Sequence, residues 1–177
     1  LSNSDDEDIN TNVFTKDENV ADLSSYTPTI KENSSNMATT PIPGFTYLGK
    51  LRNNAYYLSD KNFTGAKAYN DAIEQGGFVA SIANEDENEF LSNALNNIGA
   101  GSSPVLIGLN DLEQESKFEW QNSNKLLYTN WNVGEPNNAG NEDYVVMNHD
   151  GKWNDIFMLV EVRYILVVSE LSIDCPA

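Results

Sequence analysis

The chain has 177 residues, with 27 acidic residues against 10 Lys and Arg and a formal net charge of −17. That length suits one sizeable domain with an extension. The charge argues against nucleic acid, which rewards a basic face, and against unassisted binding to anionic membranes.

Residues 1–42 are rich in Ser, Asn, Thr and Asp and include the acidic cluster Asp5-Asp6-Glu7-Asp8. So few apolar side chains cannot bury much surface, and the segment reads as a tether or extension. Thr39 to Gly44 forms a linker into a domain spanning 43–170. Phe45–Leu51 alternates like a strand and Ala55–Ser59 continues a hairpin. Asn62 or Thr64 caps a helix running to about Glu74, with Ala66, Tyr69, Ala72 and Ile73 on one face and Gly76-Gly77 as its stop. Phe78–Ile82 reads as a short buried strand. Asn84 caps a second helix, with Glu87 at capping-box spacing and Phe90, Leu91, Ala94 and Leu95 as its apolar stripe. Gly99 and Gly101 end it.

A core strand, Pro104–Leu109, leads to a polar loop over 110–117 and a strand over Phe118–Trp120. Tyr144–Met147 and Tyr164–Val168 are the last strands, and 171–177 is a tail. Short strands around two helices read as an α+β chain. No apolar run reaches transmembrane length, since Glu161 and Arg163 interrupt Leu159–Val168. Cys175 is the only cysteine, so no internal disulfide forms and packing must hold the core.

The chemistry concentrates between Trp131 and Asp155. Glu135, Asn137, Asn138, Asn141, Glu142, Asp143, Asn154 and Asp155 place carboxylate and amide oxygens at irregular loop spacing. Calcium takes about 6–8 oxygens and tolerates flexible loops, whereas magnesium wants a tighter octahedron. A soft metal is disfavoured, because no thiol is near and His149 is the only histidine. Pro136 lies between two candidate ligands, and a cis bond before it would turn Glu135 and Asn137 to one side.

Glu135-Pro136-Asn137, Glu142-Asp143 and Trp153-Asn154-Asp155 together resemble the calcium and sugar site of C-type lectin domains. Val105–Leu109 resembles the core WIGL strand of that family, and Gly76–Ile82 the segment between its two helices. The resemblance covers about 43–170 and implies a C-type lectin-like fold, two helices packed on small antiparallel sheets with long calcium-binding loops, whose first hairpin pairs with its final strand. It implies a main site for calcium and carbohydrate at Glu135, Asn137, Glu142, Asn154 and Asp155, the last also offering its carbonyl. An auxiliary calcium would fall to Asp111, Glu115, Asn138, Glu142 and Asp143, with Asn138 standing where Asp is frequent. Glu-Pro-Asn implies sugars with equatorial vicinal hydroxyls: mannose, glucose, N-acetylglucosamine and fucose types. Gln-Pro-Asp would imply galactose types.

The family's usual cysteines would fall near Ala72, Tyr144, Met158 and Leu166, so the chain resembles the cysteine-poor bacterial members. The acidic start resembles that of a mature bacterial surface lipoprotein, with a lipid anchor upstream of Leu1. The expected setting is extracellular or cell-surface, in adhesion. The alternative is a lectin-like domain that binds a protein or other surface, with calcium only structural. An enzyme is not expected: no Ser-His-Asp set is visible, and the paired carboxylates are committed to metal.

Overall fold

The structure, a computed structural model, describes residues 40–170. The expected N-terminal extension before residue 40, the upstream lipid anchor, the C-terminal tail and Cys175 lie outside the described residues.

Two sheets carry the domain. In the first, β1 (Phe45–Leu51) and β2 (Asn54–Ser59) form the expected hairpin, and β2 pairs with the final strand β8 (Ile165–Ser169), as Tyr57 opposite Leu166 shows. The short β3 (Phe78–Val79) completes the order β1-β2-β8-β3. Only those two residues of the Phe78–Ile82 run are strand, and Phe78 is exposed at this edge while Val79, Ala80 and Ile82 are buried. The edge does not stay open, because Gln121 accepts from the Val79 amide through Oε1 (2.8 Å) and donates through Nε2 to the Tyr69 carbonyl (3.0 Å).

The second sheet has the order β5-β4-β6-β7. Its strands are β4 (Val105–Asn110), β5 (Glu119–Trp120), β6 (Glu142–Met147) and β7 (Trp153–Phe157). The run Trp153-Asn154-Asp155, read from the sequence only as a ligand motif, is therefore also a strand. A parallel bridge between Leu106 and Tyr164 joins the two sheets.

Helix α1 (Gly65–Glu74) begins after Thr64 and buries Gly65, Ala68 and Ala72. The expected face is corrected: Ala66 and Ile73 are exposed, the latter by 53 %. Small residues win because the helix backbone lies hard against an aromatic ring. A Cβ on Gly65 would fall 2.3 Å from Cδ1 of Tyr144. Helix α2 (Glu85–Asn97) starts as expected, with Asn84 Oδ1 accepting from the Glu87 amide at 3.0 Å. Glu87 reaches back to the Ala83 amide (2.7 Å) and also holds Arg52 (2.9 Å).

Two apolar clusters fill the interior. One gathers Leu58, Ile82, Leu91, Leu95, Ile107, Trp120, Met147 and Trp153; the other packs Ala68, Ala72, Val79, Leu106, Tyr144, Tyr164 and Leu166. Three of the family's cysteine positions, Ala72, Tyr144 and Leu166, thus lie together in one apolar cluster. The fourth, Met158, is 44 % exposed, so packing replaces stapling there only in part.

Two strands approach closely at Gly108, where a Cβ would sit 2.4 Å from the Val79 carbonyl oxygen. Neither side of that contact is a flexible side chain. Gly108→Ala should therefore destabilise the domain by about 3 kcal/mol, the upper range for overpacking. An unchanged urea midpoint would show that the two strands can separate at no cost.

Candidate functional site

The site is rooted in aromatic packing. Trp153 is fully buried, and the rings of Trp120, Tyr128 and Trp131 meet it edge-on at 5.8, 5.7 and 6.0 Å. Its indole N–H donates to Asn88 Oδ1 (2.8 Å), and its backbone N–H and carbonyl bond to Asn130 and Asn132, each at 2.8 Å. Asn88 and Asn130 also donate to the Gly151 carbonyl, at 3.1 and 2.7 Å. The loop from 132 to 141 thus leaves a fixed base. His149 is a turn residue whose carbonyl accepts from Ser92 and Asn96.

The five expected main-site residues join in one hydrogen-bonded network. The Glu135–Pro136 bond is cis. Asn137 Nδ2 donates to Glu135 Oε1 at 2.8 Å. Asp155 is fully buried on β7, and its two carboxylate oxygens accept from the backbone amides of Asn137 (3.1 Å) and Asn138 (2.8 Å). The Ala139 amide is shared between Asn137 Oδ1 and Glu142 Oε2, both at 2.8 Å. Asn154 Nδ2 donates to the Asp155 carbonyl at 2.6 Å.

The auxiliary set gathers beside it. Asn138 donates to Glu115 Oε1 (2.9 Å) and accepts from the Glu142 amide (2.7 Å). Asp111 donates its amide to the Asp143 carbonyl (3.2 Å), and its Oδ2 accepts from the Ser116 amide (2.8 Å). A break in the β6–β7 register between Glu142 and Tyr144 leaves Asp143 out of the ladder. Asn138 and Asn141 adopt positive φ, 49° and 73°, which Asn tolerates better than most side chains.

Electrostatics mark both sets. Glu135 Oε2 and Asp111 Oδ1 are buried carboxylate oxygens without a hydrogen-bond partner among the described residues. Leaving such an acceptor unsatisfied costs about 1–3 kcal/mol. The Glu135 carboxyl is pushed above its ordinary pKa chiefly by burial, then by contact with Asp155 and the charges of Asp155 and Glu142, against a lowering bond from Asn137. Asp143 is raised by burial and by Asp111. Among the described residues, no three His, Cys, Asp or Glu side chains converge as a ready metal cage. The carboxylates are instead closed by amide donors. The donor set still fits a hard cation in kind, since it offers only carboxylate and amide oxygens and leaves one oxygen in each set unsatisfied.

A pH effect follows for the metal-free protein. A carboxyl whose pKa is raised on folding holds its proton more tightly when folded. The stability this contributes is full below the unfolded pKa and is lost as pH rises through the raised folded pKa. In chelator, the melting temperature should therefore rise as pH falls from about 7 towards the ordinary carboxylate range. Glu135→Gln should flatten that rise. A chelated protein whose melting is indifferent to pH in this window would contradict the assigned environment of Glu135.

Comparison with known proteins agrees with this architecture. Residues 59–165 match the family model described as Lectin C-type domain. The chain is 42 % identical over 82 residues to the low affinity immunoglobulin epsilon Fc receptor of Mus musculus, covering 46 % of this chain and 23 % of that protein. It is 41 % identical over 81 residues to the mannose-binding protein of Gallus gallus, covering 46 % of this chain and 30 % of that protein. The chain thus spans less than a third of the length of either curated relative. Among solved structures, the cow C-type carbohydrate-recognition domain of CD23, determined in the presence of GlcNAc2Man3 oligosaccharide, is 30 % identical with a TM-score of 0.65. That match covers 75 % of this chain and 98 % of that one. A calcium-independent type II antifreeze protein shares the fold at 18 % identity and a TM-score of 0.63, over 74 % of this chain and 95 % of its own, so the fold alone fixes neither metal nor ligand. With the family model covering more than half of the sequence, the chain belongs to the C-type lectin domain family.

Proposed function

We propose that the domain is a calcium-dependent, mannose-type carbohydrate-binding module that works outside the cell or at its surface, in adhesion. The observation that carries this reading is Glu135 Oε2, a buried and unpartnered carboxylate oxygen inside the network of Glu135, Asn137, Glu142, Asn154 and Asp155. Those five residues would hold the metal. Bound calcium would supply a Lewis-acid centre that fixes the two hydroxyl oxygens of a vicinal diol.

The side chains then read the diol's protons. Glu135 and Glu142 are acceptors only, while the amides of Asn137 and Asn154 donate. A pair of equatorial hydroxyls, as in mannose, glucose, N-acetylglucosamine or fucose types, gives one proton and takes one bond at each oxygen. Asp111, Glu115, Asn138, Glu142 and Asp143 would hold an auxiliary calcium that stiffens the same loop. The mannose-binding relative and the related CD23 domain, determined in the presence of an oligosaccharide, support the sugar class. No residue is assigned a catalytic role, and the reading is of a binding module. Such sites gain strength by clustering on a surface.

Calcium at about 100 times its dissociation constant should stabilise the domain by about 2.7 kcal/mol. Thermal melts in calcium and in chelator, followed by glycan binding in both, test the proposal. A melting temperature that ignores millimolar calcium, or a mannoside that binds equally well in chelator, would reject it.

A further inference from the structure

Strand β7 ends in a turn made of Phe157, Met158, Leu159 and Val160, which are 41, 44, 68 and 40 % exposed. Isolated surface apolar residues need no explanation, but a contiguous group of large ones marks an interaction surface. The turn is defined: the Val160 amide donates to the Phe157 carbonyl at 3.0 Å, and Ile156 and Val162 on either side pack against the core.

Its position is informative. Side chains alternate along a strand, so Phe157 shares a face of β7 with Asp155. Phe157 is also the cross-strand partner of Glu142. Directly opposite residues hold their Cβ atoms about 4.5–5.5 Å apart on one face. Glu142, a member of the diol network, therefore adjoins the first residue of the apolar turn, and the turn begins beside the site.

We propose that the domain prefers saccharides carrying a neutral apolar substituent, an acyl or alkyl chain that lies along Phe157–Val160 while the sugar hydroxyls sit at Glu135–Asp155. This rests on the carbohydrate reading of the main site. Continuity with the diol network favours a chain attached to the sugar itself. Glu161 follows the turn directly and the chain carries a formal net charge of −17, which disfavours an anionic bilayer. A symmetric contact with a second copy would set Glu161 and the same net charge against themselves. A neutral chain meets neither penalty.

The test compares methyl and octyl α-mannoside by calorimetric titration at saturating calcium, with octyl mannoside kept below its micelle concentration. Each fully buried methylene strengthens binding about fourfold, so partial burial of an octyl chain should give an affinity ratio of at least about tenfold. Met158→Ser/Leu159→Ser, at exposed positions, should bring the ratio close to one and leave methyl mannoside affinity unchanged. A wild-type ratio near one with normal methyl mannoside binding overturns the inference and spares the proposed function. Absence of methyl mannoside binding overturns both. A dimer in sedimentation that the double variant dissolves, with no effect of chain length, overturns the inference in favour of a contact between copies.

Discussion

Asp155→Ala should abolish the calcium-induced rise in melting temperature and mannoside binding together, and should also weaken the protein in chelator. The residue is fully buried and its carboxylate accepts the backbone amides of Asn137 and Asn138. Those amides belong to the loop that bears Glu135 and Asn137, so Asp155 fastens the loop to β7 whether or not a metal is present. Hydrogen bonds to a charged group contribute about 1.5–3 kcal/mol each, and the freed donors gain some water in exchange. A loss of about 3 kcal/mol in chelator is therefore expected from the fold alone. Glu142→Gln makes the informative contrast. Among the described residues its carboxylate accepts only the Ala139 amide, at 2.8 Å, and an amide oxygen can do the same. That variant should keep its stability in chelator and lose most of its response to calcium. Chelated melts and calcium titrations of both variants separate loop fastening from metal binding. Should Asp155→Ala retain the calcium response, the metal would have to lie outside this network.

The parts of the fold that were legible in the sequence are those set by neighbours. Asn84 and Glu87 announce the start of α2 because their hydrogen bond spans three residues. The β1–β2 hairpin is carried by local alternation and a short turn. Hydrophobicity alone points to the wrong buried face of α1, because the pattern of apolar residues carries no information about the space available. Gly65, Ala68 and Ala72 are buried for being small against Tyr144, and Ile73 is turned out. Strand β7 was hidden because Asp155, a fully buried carboxylate, breaks the apolar alternation that marks a strand.

The site divides in the same way. Its members were legible as three short motifs. Their joining was not, since Asp155 meets Asn137 and Asn138 from 18 and 17 residues away. The clamp of Asn88 on Trp153 spans 65 residues and left no local trace. A buried asparagine on the core-facing side of α2 was the one available signal.

Exchanging Glu135→Gln together with Asn137→Asp, with Pro136 in place, should remove mannose binding and leave calcium binding intact. Total charge and oxygen count are unchanged, so the metal's donor set is preserved in kind. The local bonds can also survive. Asn137 now donates to Glu135 at 2.8 Å, and the exchanged pair can form the same link with donor and acceptor reversed. The Ala139 amide, which donates to Asn137 Oδ1 at 2.8 Å, finds a carboxylate oxygen there equally acceptable. What reverses is the order in which a diol meets an acceptor-only carboxylate and a donating amide. A sugar held between them would lose two well-paired bonds, one to a charged group. At about 1.5 kcal/mol each, that is roughly a hundredfold in affinity. Gain of galactose should be small. The resemblance to C-type lectin domains links the Gln-Pro-Asp order with galactose, but a stacking aromatic is wanted near Asn138-Ala139-Gly140, and that loop offers only the small exposed Ala139. Titration of the double variant with mannose and galactose at saturating calcium reads both effects. Undiminished mannose binding would place the diol outside the Glu135–Asn137 pair and would remove the main support for a mannose-type site.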